Sequence, residues 1–261
     1  MDPTEDTQLA AVRQQQIVDL INRNQSAKLA ELRSNFGVSE ATIRRDLAAL
    51  ESKGVIVRTH GGAVTNLLVS QVEPNESRAV SNVDEKVRIG IAATKLITGE
   101  KTVFLDAGTT ALQIACEAQE NTRCRYVTSS LGIANELKKR SVPYLYVIGG
   151  AYLELNDSFT GSIAISTVRS LSFDIAFLCV SSVDVERQQV SIGLDAYSQV
   201  QKEVIGVSRQ KYVVADHTKF RTGAFVSTAT FDQIDGVITT DLVGKTAIEK
   251  MKLANLDVVL A

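Results

Sequence analysis

From residue 102 to the end, short apolar runs and helical stretches take turns, and this alternation constrains the fold more than any other feature of the chain. The apolar runs fall at 102–105, 125–128, 144–148, 174–180, 211–215, 236–239 and 256–260. Segments with apolar residues three and four apart lie between most of them, at about 110–119, 131–140, 162–171, 196–209 and 244–253. Strands that are apolar throughout are buried on both faces, and helical crossovers make neighbouring strands parallel. The expected architecture is α/β, a mostly parallel sheet covered on both sides. A helix beginning at Asp84, with Ile89, Ala92, Ala93, Leu96 and Ile97 on one face, leads into it.

The N-terminal quarter follows a different rhythm. Leu9, Val12, Ile17, Leu20 and Ile21 share one helical stripe, and Ser26 is placed to cap a second short helix carrying Leu29, Leu32 and Phe36. Phe36-Gly37-Val38 reads as a tight turn. Ser39 then caps a third helix that buries Ile43, Leu47 and Leu50 and ends at Gly54. A β-branched run at 55–58, a turn through Gly61-Gly62 and a second short run make a hairpin. Three helices and a hairpin form a winged helix-turn-helix, whose last helix fits the major groove of double-stranded DNA. Residues 65–83 lack a period and contain Pro74, so the spacing predicts a domain over 8–64, a linker over 65–83 and a second domain over 84–261.

The whole chain carries a net charge of −2, which by itself speaks against nucleic acid. The average conceals two unlike parts. Residues 8–62 hold eight Lys/Arg against five acids, net +3, and the remainder carries −5. The buried stripe of the third helix turns Glu40, Thr42, Arg44 and Arg45 outward. Arginine pairs with guanine in two hydrogen bonds or clamps a phosphate. Ser39 and Thr42 sit at the helix start, which favours phosphate. Arg58 and His60 fall on the wing, and Lys28 and Gly61 complete the expected DNA-binding set.

Three cysteines, Cys116, Cys124 and Cys179, without a C-x-x-C pair, fit reduced core thiols in a cytoplasmic protein. With His60 and His217 the only histidines, no zinc set is expected, nor any cofactor. The acidic start MDPTEDTQ is wrong for a signal peptide, and no apolar run approaches the length of a membrane span.

In the second domain, Asp106-Ala107-Gly108-Thr109-Thr110 joins a strand to a helix, with a glycine for close approach and two hydroxyls beside emerging N–H groups. Such a loop suits an anion. Ser129-Ser130, Gly149-Gly150, Asp184, and Asp216 with Lys219 end other strands, where ligands of open α/β sheets bind. Lys86 supplies a further cation. Hydroxyls, glycines, carboxylates and lysines together suit a small phosphorylated polyol. His217 neighbours Asp216, but adjacent strand residues point to opposite faces, which argues against a shared role.

The string FGVSEATIRRDLAALESKGVIVRTHGGAV resembles the signature of the DeoR family of bacterial transcription regulators, with Arg33 standing where the family usually has Ala. The second domain resembles the family's effector domain through Lys86, Asp106-x-Gly-Thr-Thr, Thr128, Ser130, Gly149-Gly150, Gly161, Asp174 with Phe177, Asp184, Asp216 and Lys219-Phe220. The likeness spans about residues 8–260. It implies a fold similar to sugar-phosphate isomerases and CoA transferases, a phosphorylated sugar as effector, and a homo-oligomer, dimer or tetramer. The effector set it implies is Lys86, Asp106, Gly108, Thr109, Thr110, Ser129, Ser130, Gly149, Gly150, Asp184, Lys202, Asp216 and Lys219. Ser129, Ser181, Ser182, Tyr197 and Gln199 depart from the family pattern and leave the sugar open. The expected function is a sequence-specific repressor of carbohydrate-metabolism genes, not an enzyme. The alternative is a sugar-phosphate isomerase-like enzyme with a DNA-binding appendage, in which Asp106, Asp184 or Asp216 would be the base.

Overall fold

The computed structural model describes residues 12–21, 26–52, 56–59, 62–65, 75–119 and 123–261. The chain divides into two units, Met1–Val72 and Glu73–Ala261.

In the first unit, helix α1 (12–21) precedes β1 (Ser26–Lys28), α2 (Leu29–Phe36), α3 (Glu40–Ser52), β2 (Ile56–Thr59) and β3 (Gly62–Thr65). The strands form one antiparallel sheet in the order β1-β3-β2. Ile17 and Ile21 from α1 meet Leu32, Ile43, Leu47, Leu50 and Ile56 in a single core. Gly37 sits at φ +62° as the C-cap of α2, and its N–H closes onto the Arg33 carbonyl. A left-handed residue there costs a glycine little and turns the chain sharply into α3. Two expectations shift. Ser26 caps no helix, because it opens β1, paired with Val64, and α2 begins three residues later. Val12 is 56% exposed and Val18 is buried, while the expected Ile17, Leu20 and Ile21 pack in the core; Leu9 lies outside the described residues. The Gly54 stop lies outside the described residues.

The second unit opens with α4 (Asn75–Val80) and α5 (Val83–Thr94). Alternation follows: β4 (Thr102–Leu105), α6 (Thr109–Cys116), β5 (Arg125–Thr128), α7 (Leu131–Lys139) and β6 (Tyr144–Val147). After a hairpin, β7 (Ala151–Leu153) and β8 (Ser158–Thr160), come α8 (Gly161–Arg169) and β9 (Phe173–Cys179). Then β10 (Ser182–Asp184), β11 (Gln189–Ile192), α9 (Asp195–Val207), β12 (Ser208–Val214), β13 (Val226–Thr230), β14 (Gly236–Thr239), α10 (Lys245–Leu253) and β15 (Asp257–Leu260) complete the chain.

Seven strands form one wholly parallel sheet in the order β15-β14-β12-β9-β4-β5-β6. Alternate side chains serve two cores. Val103, Leu105, Ile175 and Phe177 pack under α5, α6 and α7, while Phe104, Ala176, Leu178 and Val213 pack under α8 and α9. Strand order reverses between β4 and β9, which creates a crevice at their carboxyl ends.

Three features have no counterpart in the sequence pattern. The hairpin β7–β8 and the antiparallel sheet β10-β11-β13 are built from short strands rich in Ser, Thr, Asp and Gln. Part of the 65–83 stretch is also structured, since α4 and the turn after it pack into the second unit. Among the described residues, no helix is long and apolar enough to cross a membrane.

Candidate functional site

The outer face of α3 is the candidate nucleic-acid surface. Ile43, Leu47 and Leu50 are buried, which leaves Glu40, Arg44 and Arg45 on the exposed side. Ser39 accepts from the Thr42 N–H at 3.2 Å and shares a hydroxyl contact with Thr42 at 2.9 Å, capping the helix. Such a cap is worth about 1 kcal/mol. Arg44 pairs with Glu40 at 2.8 Å with both side chains about half exposed. A pair of this kind holds only a few tenths of a kcal/mol and yields readily to a phosphate or a base. Asp46, unnoticed as a functional position in the sequence, anchors the helix from behind. It is 3% exposed and accepts from Arg13 Nε at 2.6 Å and Gln14 at 3.1 Å, tying α3 to α1. Lys28 is exposed at the start of α2. Arg58 lies on β2, while His60 and Gly61 lie outside the described residues.

The second candidate site is a narrow cleft at the reversal of strand order. It is lined by Arg78, Lys86, Gly108, Thr109, Thr110, Cys179, Val180, Val214 and Lys219. Gly108, Thr109 and Thr110 present the N-terminal turn of α6, whose first N–H groups have no partner within the helix. A Cβ on Gly108 would stand 2.7 Å from Cys179 Sγ, so only glycine lets the loop lie this close to β9. Lys86 lies in the first turn of α5 and is 3% exposed. Its Nζ donates to the Ser81 carbonyl at 2.5 Å and to the Arg78 carbonyl. Burial pushes its pKa down, against the pull of Asp216. Three cationic side chains and a helix N-terminus around a water-sized space give the cleft the chemistry that suits an anion.

Asp106 does not face the cleft. It is fully buried and lies beneath the loop, where four donors hold it. The Ala107 and Cys179 N–H groups donate at 2.9 Å each, Gln201 Nε2 at 2.7 Å, and the Tyr197 hydroxyl also donates. Burial raises its pKa to about 6, although all four hydrogen bonds favour the charged form. Its role here is to pin the Gly108–Thr110 loop. Burial and Asp106 push the Cys179 thiol up to about 12, so it is not a nucleophile at neutral pH.

The remaining expected positions divide. Lys86, Gly108, Thr109, Thr110 and Lys219 come together in the cleft. Ser129 is sealed away, its hydroxyl 3.0 Å from that of Tyr197. Ser130 caps α7 and donates to Asp157 at 2.7 Å. Gly150, in the left-handed region, sits tight against the Thr160 carbonyl, and Gly149 faces open space. Asp184 organises a turn through the N–H groups of Arg187, Gly223 and Glu186; burial raises its pKa, but these bonds leave it lowered. Asp216 is 1% exposed and accepts from Thr218 and from Asn82 at 3.3 Å. Lys202 is exposed on α9 and does not line the cleft. His217 pairs with Glu85 at 2.6 Å, not with Asp216. Arg78 and Cys179 of the lining and Gln201 beneath it were absent from the expected set, Arg78 because its segment has no period, while Tyr197 stood out only as a departure from the family pattern. The i, i+4 spacing of Tyr197 and Gln201 on one face of α9 was the available signal.

A winged helix with an arginine-bearing outer face, joined in one chain to an α/β unit with an anion cleft, is the build of a DNA-binding transcription regulator that senses a ligand. Residues 13–67 match the DeoR-like helix-turn-helix domain, and residues 81–241 match the DeoR C terminal sensor domain. The chain belongs to the DeoR family. It is 38% identical over 238 residues to the transcriptional repressor AccR of Agrobacterium fabrum, covering 91% of this chain and 92% of that protein. It is 30% identical to the regulator GolR of Listeria innocua, covering 95% and 98%. It is also 30% identical to the lactose phosphotransferase system repressor of Lactococcus lactis, covering 80% and 82%. These relatives are regulators, not enzymes. Ribose 5-phosphate isomerase A from Methanocaldococcus jannaschii matches at a TM-score of 0.41 and 18% identity, over 54% of this chain and 56% of that one.

Proposed function

We propose that the chain represses carbohydrate-metabolism genes and that a phosphorylated sugar controls its grip on operator DNA. It acts in the cytoplasm as a homo-oligomer, a dimer or tetramer, which lets several heads read repeated half-sites. Arg44 and Arg45 read bases or clamp phosphates. Ser39, Thr42, Lys28 and the wing residues Arg58, His60 and Gly61 hold the backbone, and Glu40 holds Arg44 in readiness.

The observation that carries the ligand reading is the cleft itself. Arg78, Lys86 and Lys219 surround the N-terminal turn of α6, a setting that selects a dianion such as a phosphate. Named relatives that repress sugar systems support the organic part of the ligand. The isomerase alternative fares poorly on geometry. Isomerisation needs a carboxylate base beside the substrate. Among the described residues no carboxylate lines the cleft, and Asp106, Asp184 and Asp216 are all held by donors of their own.

A thermal-shift screen of the full chain against sugar phosphates tests the reading. A ligand at 100 times its Kd raises stability by about 2.7 kcal/mol, and Thr110→Val removes the shift. Paired mobility-shift assays with upstream DNA then show whether that ligand alters binding. No sequence-specific shift at moderate salt refutes the repressor.

A further inference from the structure

The segment from Asn75 to Asn82 is the first described part of the second unit, and it follows the residues that lead out of the winged helix. Two residues outside the segment, Lys86 and Asp216, fasten it, and Arg78 braces it from within. Lys86 Nζ holds the main-chain carbonyls of Arg78 and Ser81. Asn82, in the left-handed region at φ +51°, donates its amide to Asp216. Arg78 lines the anion cleft with Lys86 and Lys219, while one of its guanidinium nitrogens reaches Asn75 at 3.2 Å. The same ammonium that faces the cleft is therefore the anchor of the segment.

We propose that residues 75–82 form a ligand-responsive strap: Arg78 is a binding residue of the anion cleft, and an anion bound there draws Lys86 away from the strap's carbonyls and re-anchors the strap through Arg78.

The proposal rests on the reading that the cleft takes a phosphorylated ligand. Its physics is competition for one ammonium: two of its three N–H groups are committed to the strap's carbonyls, and a dianion gains by engaging more than the third. A buried ammonium makes strong hydrogen bonds to neutral carbonyls, but a phosphate oxygen carries full charge and binds it more strongly. The Arg78 guanidinium gains from the same anion, and its own carbonyl is one of the two that Lys86 releases. Ligand affinity and strap conformation are thus linked, and whatever favours one strap arrangement changes affinity for the ligand by the same factor. The strap precedes α5 directly and follows residues 66–74, so a change in its anchoring acts on the only covalent path between the two units.

Hydrogen exchange on the full chain tests this. Amides of 75–82 are followed with and without saturating inorganic phosphate, and with each sugar phosphate that binds by calorimetry. Exchange in the strap is expected to change several-fold on binding, while the β9 and β12 amides away from the cleft hold steady. Without ligand, Lys86→Met is expected to raise strap exchange, because two carbonyls lose their charged donor. Arg78→Ala, on a half-buried side chain whose loss leaves the core intact, is expected to weaken ligand binding about ten-fold or more, the weight of one charge-assisted contact. Binding that depends on Thr110 but leaves strap exchange unchanged overturns the strap and spares the phosphorylated-ligand reading. Equal affinity in Arg78→Ala overturns the role of Arg78. No binding by any probe overturns the ligand reading and the strap with it.

Discussion

Asp106 carries a measurable cost. In the unfolded chain its carboxyl titrates near the ordinary value of 3.8, and burial raises it to about 6 in the fold. The difference is about two pKa units at 1.36 kcal/mol each, or about 3 kcal/mol. Between these two values the folded protein holds a proton that the unfolded chain has released. This carboxyl therefore favours folding fully below pH 3.8, loses that advantage as pH rises through 6, and adds no further slope above it. Asp106→Asn removes the titration. The amide can turn its NH2 toward Tyr197, whose hydroxyl reverses to accept, and keep its oxygen toward Gln201 and the Cys179 N–H. The Ala107 N–H then keeps only the long contact to the Tyr197 oxygen at 3.5 Å, at a cost of about 1–3 kcal/mol. At pH 7 the variant should match the wild type or exceed it by up to about 2 kcal/mol. Urea denaturation followed by circular dichroism from pH 4 to 7.5 gives the difference between the two curves, which isolates Asp106 from carboxyls such as Asp184 whose lowered pKa tilts stability the other way. The wild type should lose about 3 kcal/mol relative to the variant across the window. Parallel curves refute the raised pKa and with it the role of burial at this loop.

Further outcomes follow from the same geometry. Asp46→Ala removes the buried carboxylate that ties Arg13 and Gln14 to α3, and loss of one partner from such a pair should cost the first unit about 3 kcal/mol, read by its melting, with the second unit unchanged. Arg44→Ala or Arg45→Ala should cost about 1–3 kcal/mol in operator affinity; a loss equal on all sequences marks a phosphate contact instead of a base contact. Gly108→Ala should abolish ligand-induced thermal shift, because the new methyl meets Cys179 and displaces the loop; a full shift would show that the loop does not touch the ligand.

The parallel sheet was legible because β4, β9, β14 and the second half of β12 are apolar on both faces, and a pattern of that kind has few other folds. The third helix was legible for the opposite reason, since Ile43, Leu47 and Leu50 leave the arginines nowhere but outside. The strands β10, β11 and β13 were not, because their burial comes from pairing with one another, which local period does not report. At the candidate site, Gly108–Thr110 and Lys219 announced themselves by residue type at strand ends. Asp106 also stood out, but its direction was set by Tyr197 and Gln201 on α9, some 90 residues away. Arg78 sat in a stretch without period, and only the turn that brings Lys86 back beneath it gives that stretch a place. Ser129 and Ser130 were spent on Tyr197 and a helix cap.

The reversal of strand order between β4 and β9 has a kinetic consequence. β4, β5 and β6 follow one another along the chain and pair as neighbours, as do β9, β12, β14 and β15. The seam between the halves joins Val103 to Ile175 and Leu105 to Phe177, residues 72 apart in sequence. Closing that seam requires the longest loop in the sheet, and loop closure slows folding. The cleft exists only across the seam, with Thr109 and Thr110 on one half and Cys179 and Lys219 on the other. A ligand held there would clasp two half-sheets, so a response through this cleft requires the seam between them to be closed.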